Sequence, residues 1–176
     1  REMLSQMLEV FDLEPDFDLK IMKPGQSLSD LGIALLHGIE KFLNVSQPDL
    51  VLVHGDTSTT FYGALSCFYQ KIPVAHVEAG LRSYDKFSPW PEEVNRRLTA
   101  AIAEIHFAPT DRAVENLLRE GVNQEKVIKT GNTVIDALYS IERKISGNGL
   151  LAEKLRKQFE FLDLTKKLIL LTVHRR

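Results

Sequence analysis

The chain has little cysteine. Cys67 is its only cysteine, so the sequence excludes an intrachain disulfide framework, and we expect a reducing compartment, the cytoplasm. Cys67 also lies inside an apolar helical pattern, with no helix start beside it to lower its pKa. We therefore expect a thiol of the hydrophobic core and not a nucleophile.

Long apolar runs and basic runs are also missing. No apolar stretch approaches the roughly 20 residues that a helix needs to cross a bilayer, and the first residues do not form a signal peptide. The formal net charge is −2, and no cluster of Lys or Arg stands out against it. We therefore expect neither a membrane nor a nucleic-acid partner.

What the chain does contain is an alternation of short apolar runs and helical patterns, which predicts a doubly wound α/β domain with a parallel sheet. No Gly-x-Gly-x-x-Gly loop is present, so dinucleotide binding has no support. The helical pattern Thr57–Lys71 places Phe61, Leu65, Phe68 and Tyr69 on one face. The predicted strands are Leu19–Met22, Leu50–Val53, Pro73–Val77, Ile105–Ala108, Lys126–Thr130 and Leu168–Val173.

Local signals suggest how the chain is divided. Ser27 with Asp30, and Thr110 with Asp111, resemble helix starts. The best linker candidate is the Ser-Gly-Asn-Gly stretch at 146–149. We therefore assign residues 1–146 to one domain and residues 147–176 to a linker, a short helix and the first strand of a second domain. Because Arg1 is not an initiator Met, we expect a fragment whose neighbouring elements are missing.

The centre of the chain predicts a βαβ unit with acidic residues at one edge. Each of its two strands ends in a His-x-acid step, with Asp56 after the first strand and Glu78 after the second. Strands joined by a helical crossover run parallel, so their carboxyl ends meet at the same edge of the sheet. Ligands of open α/β sheets bind at that edge. If the strands are neighbours, Asp56 and Glu78 therefore lie side by side where a ligand would bind.

Each of these acids also has a purely structural interpretation. Asp56 precedes a helical pattern, and an N-cap that stabilises the helix by roughly 1 kcal/mol is common there. Glu78 is expensive to bury unpaired, so an ion pair with Arg82, or with Arg96 and Arg97, is the alternative to a functional role. The residues alone leave both alternatives open.

Two more acids, Glu92 and Glu93, follow a Pro-Trp-Pro step. Acids in the first turn of a helix meet the positive end of its dipole, so surface acids are the simplest interpretation. The unusual feature is Trp90 between two prolines, which fixes a loop over the same edge of the sheet.

A metal site is a further alternative, since His54, Asp56, His76 and Glu78 are all ordinary ligand types. No HExxH motif or cysteine pair supports such a site. At the end of the chain, His174, Arg175 and Arg176 follow the last predicted strand. A histidine and two arginines there suit an anion, particularly a diphosphate, although a basic surface step would look the same.

Five motifs in order make the chain similar to the non-hydrolysing UDP-N-acetylglucosamine 2-epimerases. They are HGDTSTT at 54–60, HVEAGLRS at 76–83, SPWPEEVNRR at 88–97, TGNTVIDAL at 130–138 and TVHRR at 172–176. The resemblance covers nearly the whole chain. It implies a Rossmann-like domain as part of a two-domain architecture of the glycosyltransferase-B type, with the active site in the cleft between the domains.

The resemblance also implies chemistry and partners. It implies interconversion of UDP-GlcNAc and UDP-ManNAc through elimination of UDP, with no redox cofactor, no essential metal and a homodimeric assembly. By motif position, Asp56, Glu78 and Glu92 match the acidic catalytic residues of the family. His174 matches a histidine that contacts the UDP part and affects catalysis, and Arg175 and Arg176 lie on the diphosphate side.

Competing functions remain open. A hydrolysing epimerase would release free ManNAc and UDP, and a glycosyltransferase of the same architecture would need an acceptor. A catalytically inactive nucleotide-sugar sensor and a metal-dependent hydrolase belong to other classes. The intact acidic motifs disfavour the sensor, and activity in the presence of a chelator would exclude the hydrolase.

Overall fold

The structure, a computed structural model, describes residues 2–163 and 165–172. Its sheet consists of β1 (Val51–His54), β2 (Val74–Val77), β3 (Ile105–Ala108) and β4 (Val127–Lys129). The strands lie in the order β1-β2-β3-β4, and each neighbouring pair is parallel. The α/β fold class and the parallel sheet are thus confirmed.

Helices connect and flank the strands. They are α1 (Glu2–Val10), α2 (Leu28–Ser46), α3 (Ser58–Tyr69), α4 (Glu92–Ile102), α5 (Asp111–Arg119), α6 (Thr133–Ser146) and α7 (Gly149–Gln158), with a 3₁₀ turn at Gln124–Lys126. No helix in the described part of the chain is long and apolar enough to span a bilayer.

Side-chain caps begin several of these helices. Ser27 accepts a hydrogen bond from the amide of Asp30, whose carboxylate accepts one from the amide of Ser27, which is a capping box. Thr110 caps α5 by accepting from the amide of Ala113. Both predicted helix starts are confirmed, because a cap depends on residues that are close in the sequence.

Two apolar clusters form the core. The first joins α2, α3 and the sheet through Leu43, Val53, Ala64, Cys67, Val74 and Ala103. The second joins α4 and α5 to the sheet edge through Ala79, Ala100, Ala108, Ala113 and Leu117. Burial raises the pKa of the Cys67 thiol to about 11, so the prediction of a core thiol is confirmed.

The predicted apolar face of α3 is only partly buried, since Phe61 and Leu65 are half-buried. Phe68 and Tyr69 are 60% and 67% exposed. The helix instead buries Thr60, Gly63, Ala64, Ser66 and Cys67, which are all small. Because α3 packs against α2 on one side and α4 on the other, only small side chains fit at the contact. The face with the large apolar residues is therefore not the most buried face of α3.

Two predicted strands are not present as strands. Residues 19–22 are irregular: Lys20 has φ +51°, and its amide donates to the Asp18 carboxylate. Residues 168–172 are also irregular, and Val173 lies outside the described residues. A strand is stabilised by hydrogen bonds to a neighbouring strand, and neither segment pairs with one in the described chain. The division into domains stays a prediction.

Candidate active site

The ends of β1 and β2 bring two acids together. The two strands pair in parallel with His54 opposite Val77, so the residues that follow each strand lie at the same edge of the sheet. Asp56 and Glu78 follow, and both carboxylates contact one nitrogen of Arg96. Arg96 Nη2 lies 2.5 Å from Asp56 Oδ2 and 3.3 Å from Glu78 Oε2. The prediction that these acids lie side by side at the edge of the sheet is confirmed.

Helix α4 supplies the groups that hold the two acids. Arg96 is buried, with 5% of the residue exposed, and its Nη1 donates to the backbone carbonyl of Glu78. The neighbouring Asn95 donates from Nδ2 to the backbone carbonyl of Asp56 at 3.0 Å. The end of each strand is therefore bound to α4 through its backbone as well as its side chain.

The backbone at both strand ends is left-handed. Gly55 has φ +75°, which glycine adopts without steric cost. Glu78 has φ +65°, although it carries a side chain. For an L-residue this conformation costs on the order of 1–2 kcal/mol. Such outliers persist where surrounding contacts hold them, and they cluster at functional sites. The contacts with Arg96 are the ones that hold Glu78 here.

The structure tests the two structural interpretations, the N-cap role of Asp56 and the ion pair of Glu78, and their outcomes differ. Helix α3 is capped by Thr57, whose Oγ1 accepts from the amide of Thr60, so the N-cap interpretation of Asp56 is wrong. The ion pair of Glu78 is with Arg96. Arg82 is instead bound to Glu120 through two hydrogen bonds of 2.8 and 2.7 Å, which lower the pKa of Glu120.

A buried histidine supports the loop that carries Asp56. His76 on β2 is fully buried, and its Nε2 lies 2.7 Å from the carbonyl oxygen of Gly55. Burial lowers the pKa of His76 to about 4, and the charge of Arg96 acts in the same direction. The ring is therefore neutral at neutral pH, and Nε2 donates its proton to Gly55. Its register partner His106 is also buried, and burial lowers its pKa too.

The predicted metal alternative has no geometric support. His54 is exposed on β1, whereas His76 is buried and bonded to Gly55. Over residues 2–163 and 165–172, no three His, Cys, Asp or Glu side chains cluster in a way that would hold a metal ion.

The two glutamates that open α4 have different surroundings. Glu93 is 3% exposed, and its carboxylate accepts from the amides of Ser83 at 2.9 Å and Tyr84 at 3.2 Å. Glu93 therefore holds the loop that follows Glu78, and its interpretation as a surface acid is wrong. Glu92 is only half-buried. It lies four residues before Arg96, on the same side of α4.

A cavity of about 300 Å³ opens beside the acids. Asp56 and Arg96 line it together with Ser83, Thr110 and Arg112. Its volume is at the lower end of the roughly 300–1,000 Å³ that is typical of ligand pockets. A larger cavity of about 500 Å³ is lined mainly by apolar residues of α4 and contains neither Asp56 nor Arg96. We therefore place the candidate site at the smaller cavity.

Sequence reasoning identified Asp56 and Glu78 but did not assign the groups that position them. Arg96 was considered only as an ion-pair partner and Glu93 only as a surface acid, and Asn95 was not singled out. A signal did exist, since all three belong to the SPWPEEVNRR motif. His174 and Arg175 lie outside the described residues, so their roles stay predictions.

Comparison with known protein families gives one match over the entire chain. The family model described as UDP-N-acetylglucosamine 2-epimerase matches residues 1–176. UDP-N-acetylglucosamine 2-epimerase from Yersinia pestis is 50% identical over 176 residues, which is 100% of this chain and 47% of the relative. The Escherichia coli K12 protein of the same name is also 50% identical, with the same coverage. The chain thus spans about half the length of these relatives.

Solved structures agree with the sequence comparison. The chain is similar to UDP-GlcNAc 2-epimerase from Neisseria meningitidis, solved bound to UDP-GlcNAc, with a TM-score of 0.87 and 49% identity. The match covers 93% of this chain and 44% of that one. The Methanocaldococcus jannaschii enzyme, solved with UDP-GlcNAc and UDP, gives a TM-score of 0.80 at 40% identity, covering 89% and 41%.

Proposed function

Since the chain belongs to the UDP-N-acetylglucosamine 2-epimerase family, we propose that the whole protein interconverts UDP-GlcNAc and UDP-ManNAc without hydrolysing them. The observation that carries this proposal is the pair of carboxylates, Asp56 and Glu78, which meet at one arginine beside a cavity. Inversion at C2 of a sugar requires removal of a proton and its return to the opposite face. Acidic groups at the site are suited to both transfers.

The proposed reaction has two stages. In the first, a carboxylate takes the proton from C2, the C2–H electron pair forms a C1=C2 double bond, and the C1–O bond breaks. The electron pair of that bond leaves with UDP, and the sugar remains as 2-acetamidoglucal. In the second, a protonated acid returns a proton to the other face of C2 while a UDP oxygen re-forms the bond to C1. No electrons enter or leave, so no redox cofactor is needed.

We propose Asp56, Glu78 and Glu92 as the residues that exchange protons around the sugar. Asp56 and Glu78 are about 30% exposed, so the carboxylates are held and yet accessible. Glu92 is on the same side of α4 as Arg96 and approaches from a third segment. We propose that His174 and Arg175 bind the UDP part, because cationic side chains are suited to stabilising a departing diphosphate.

The remaining proposals concern the rest of the molecule. We propose that residues 1–146 form most of a Rossmann-like N-terminal domain, and that residues 147–176 lead into a C-terminal nucleotide-binding domain. The active site would then lie in the cleft of a glycosyltransferase-B-type architecture. We further propose a cytoplasmic homodimer that needs neither a metal ion nor a redox cofactor.

Product analysis tests this function. The whole protein would be incubated with UDP-GlcNAc and excess EDTA, and the sugars followed by proton NMR. We expect UDP-ManNAc to accumulate to a constant ratio with UDP-GlcNAc, from either direction. Free ManNAc and UDP would instead indicate a hydrolysing epimerase. Consumption of UDP-GlcNAc only when an acceptor sugar is added would indicate a glycosyltransferase, and inactivity relieved by removing EDTA would indicate a metal-dependent enzyme.

A further inference from the structure

We infer that Arg96 is a positioning residue for the two proton-transferring acids. Its guanidinium holds the carboxylates of Asp56 and Glu78 at the separation and orientation that transfer at C2 requires. This inference rests on the proposed epimerase function and adds a role for a residue that does not itself exchange protons.

The hydrogen bonds of Arg96 support this role. Nη2 donates to Asp56 Oδ2 and also contacts Glu78 Oε2, while Nη1 donates to the backbone carbonyl of Glu78. The guanidinium is a rigid planar fork, so its two terminal nitrogens hold the backbone of Glu78 in a fixed position relative to the carboxylate of Asp56. Arg96 also fixes the main chain at Glu78, where φ is +65°. One side chain thus determines the relative placement of both acids.

Burial differs between Arg96 and the two acids. The Arg96 side chain is 6% exposed, whereas those of Asp56 and Glu78 are 30% and 28% exposed. The guanidinium is therefore more buried than either carboxylate that it holds. Arg96 binds one carboxylate oxygen of each acid. The other two oxygens, Asp56 Oδ1 and Glu78 Oε1, have no hydrogen-bond partner among the described residues. One oxygen of each acid is held, and the other is free for a substrate.

Charge gives Arg96 a second function. Two carboxylates that meet at a single nitrogen repel each other strongly in a partly buried site. The guanidinium, which stays protonated, offsets this repulsion with its own charge. Without it, we expect the two side chains to separate, and a displacement of about 1 Å at a reacting group lowers rates by roughly 100-fold.

The same contacts distinguish positioning from substrate binding. Arg96 directs both terminal nitrogens at acceptors that belong to Asp56 and Glu78. A residue that bound the diphosphate directly would contribute to substrate affinity, and its loss would raise KM. A residue that acts through the acids affects the chemical step, so its loss lowers kcat with little change in KM.

The chain offers a matched control in the next residue. Arg97 is also on α4, but it is exposed and lines the larger apolar cavity. The experiment compares Arg96→Gln, Arg96→Lys and Arg97→Gln in the whole protein, with steady-state epimerisation of UDP-GlcNAc measured by NMR. We expect kcat to fall about 100-fold in Arg96→Gln and about 10-fold in Arg96→Lys, with KM within about threefold of wild type. Arg97→Gln should keep kcat within about twofold.

Removal of a buried cation also risks misfolding, so chemical rescue provides an independent readout. Because Arg96 lines the cavity of about 300 Å³, Arg96→Ala leaves a space that methylguanidinium can enter. We expect added methylguanidinium to raise the kcat of Arg96→Ala at least tenfold, and not to affect Arg97→Ala. Circular dichroism establishes which variants fold. If Arg96→Ala does not fold, the kcat and KM of Arg96→Lys decide.

The outcomes separate this inference from the function on which it rests. Wild-type protein that does not epimerise UDP-GlcNAc overturns the proposed function, and the inference with it. Active wild type with an unchanged kcat in folded Arg96 variants overturns the inference alone. So does a rise in KM at constant kcat, which would assign Arg96 to substrate binding, and so does a folded Arg96→Ala that methylguanidinium does not rescue.

Discussion

Residues 51–119 and residues 133–158 contain the same kinds of element but differ in how their side chains are buried. Every helix of the first region has buried residues, including the polar side chains of Asn95, Arg96 and Asn116. Neither α6 nor α7 in the second region has a buried residue. The packing around the first region therefore fixes the positions of its functional groups.

The polar side chains of the first region are concentrated around the strand ends. Asn116 donates a hydrogen bond to the carbonyl of Gly80, and Glu93 accepts one from the amide of Ser83. His76 is hydrogen-bonded to the carbonyl of Gly55. A buried polar group is costly unless it is hydrogen-bonded, so each of these side chains fixes a particular backbone position. The comparison teaches that the candidate site is ordered by buried polar contacts more than by the small apolar core beneath it.

The same substitution in the two regions should give very different results. Leu117 on α5 is fully buried, whereas Leu138 on α6 is 64% exposed. We expect Leu117→Ala to lower the free energy of unfolding by about 2–5 kcal/mol, because it leaves a cavity. Leu138→Ala should change it by less than about 0.5 kcal/mol. Urea denaturation followed by circular dichroism measures both, and equal effects would show that α6 is packed.

Acid should destabilise the first region through its buried histidines. Burial lowers the pKa of His76 from 6.5 to about 4. Above pH 6.5 the folded and unfolded states are both neutral at this site. As the pH falls from 6.5 to 4, only the unfolded chain binds the proton, so the free energy of unfolding decreases by about 3 kcal/mol from this group. Burial also lowers the pKa of His106, so this histidine likewise reduces the free energy of unfolding as the pH falls.

Urea denaturation at several pH values measures this dependence. The control is His37, which is exposed on α2. We expect His76→Gln to reduce the slope of stability against pH between 6.5 and 4, and His37→Gln to leave it unchanged. An unaltered slope in His76→Gln would contradict the assignment.

The two adjacent glutamates of α4 provide a finer comparison within the first region. Glu93→Gln weakens two hydrogen bonds from backbone amides to a buried charged acceptor, and we expect it to cost about 1–3 kcal/mol. Glu92→Gln should change the free energy of unfolding by less than about 0.5 kcal/mol while lowering kcat. Thermal denaturation with activity assays distinguishes them. A catalytic but not structural effect of Glu93→Gln would reverse the two roles.

Substitutions of helix caps should give the smallest difference in stability between the two regions. Thr110 caps the packed helix α5, and Asn148 caps α7 through the amide of Leu151. We expect Thr110→Ala to cost about 1 kcal/mol of global stability. Asn148→Ala should cost a few tenths, because α7 frays without disturbing the core. Hydrogen exchange resolves the two helices, and slow exchange throughout α7 would contradict this expectation.

Local sequence signals predicted much of the fold. The central strands and the caps at Ser27 and Thr110 depend on residues near in sequence, and the structure confirms them. The buried face of α3 depends on how closely α2 and α4 approach, which its own residues do not encode. The prediction of a strand at Leu19–Met22 failed because pairing requires a second segment.

The candidate site was predictable to a similar extent. The pairing of Asp56 with Glu78 followed from strand parallelism, which places both acids at the same edge. The separate roles of Glu92 and Glu93 did not follow, since adjacent residues of a helix point in different directions and only packing decides which is buried. The position of Arg96 between the acids likewise depends on the approach of α4 to the strand ends.

The proposed function requires that acids held at the sheet edge exchange the proton at C2 of the sugar. The most direct test is to incubate the whole protein with UDP-GlcNAc in deuterium oxide and follow deuterium at C2 by NMR. Wild type should incorporate deuterium into both epimers, and Asp56→Asn and Glu78→Gln should each lower the rate by about 100-fold or more. Epimerisation without C2 deuterium, or exchange at the wild-type rate in both variants, would contradict the account.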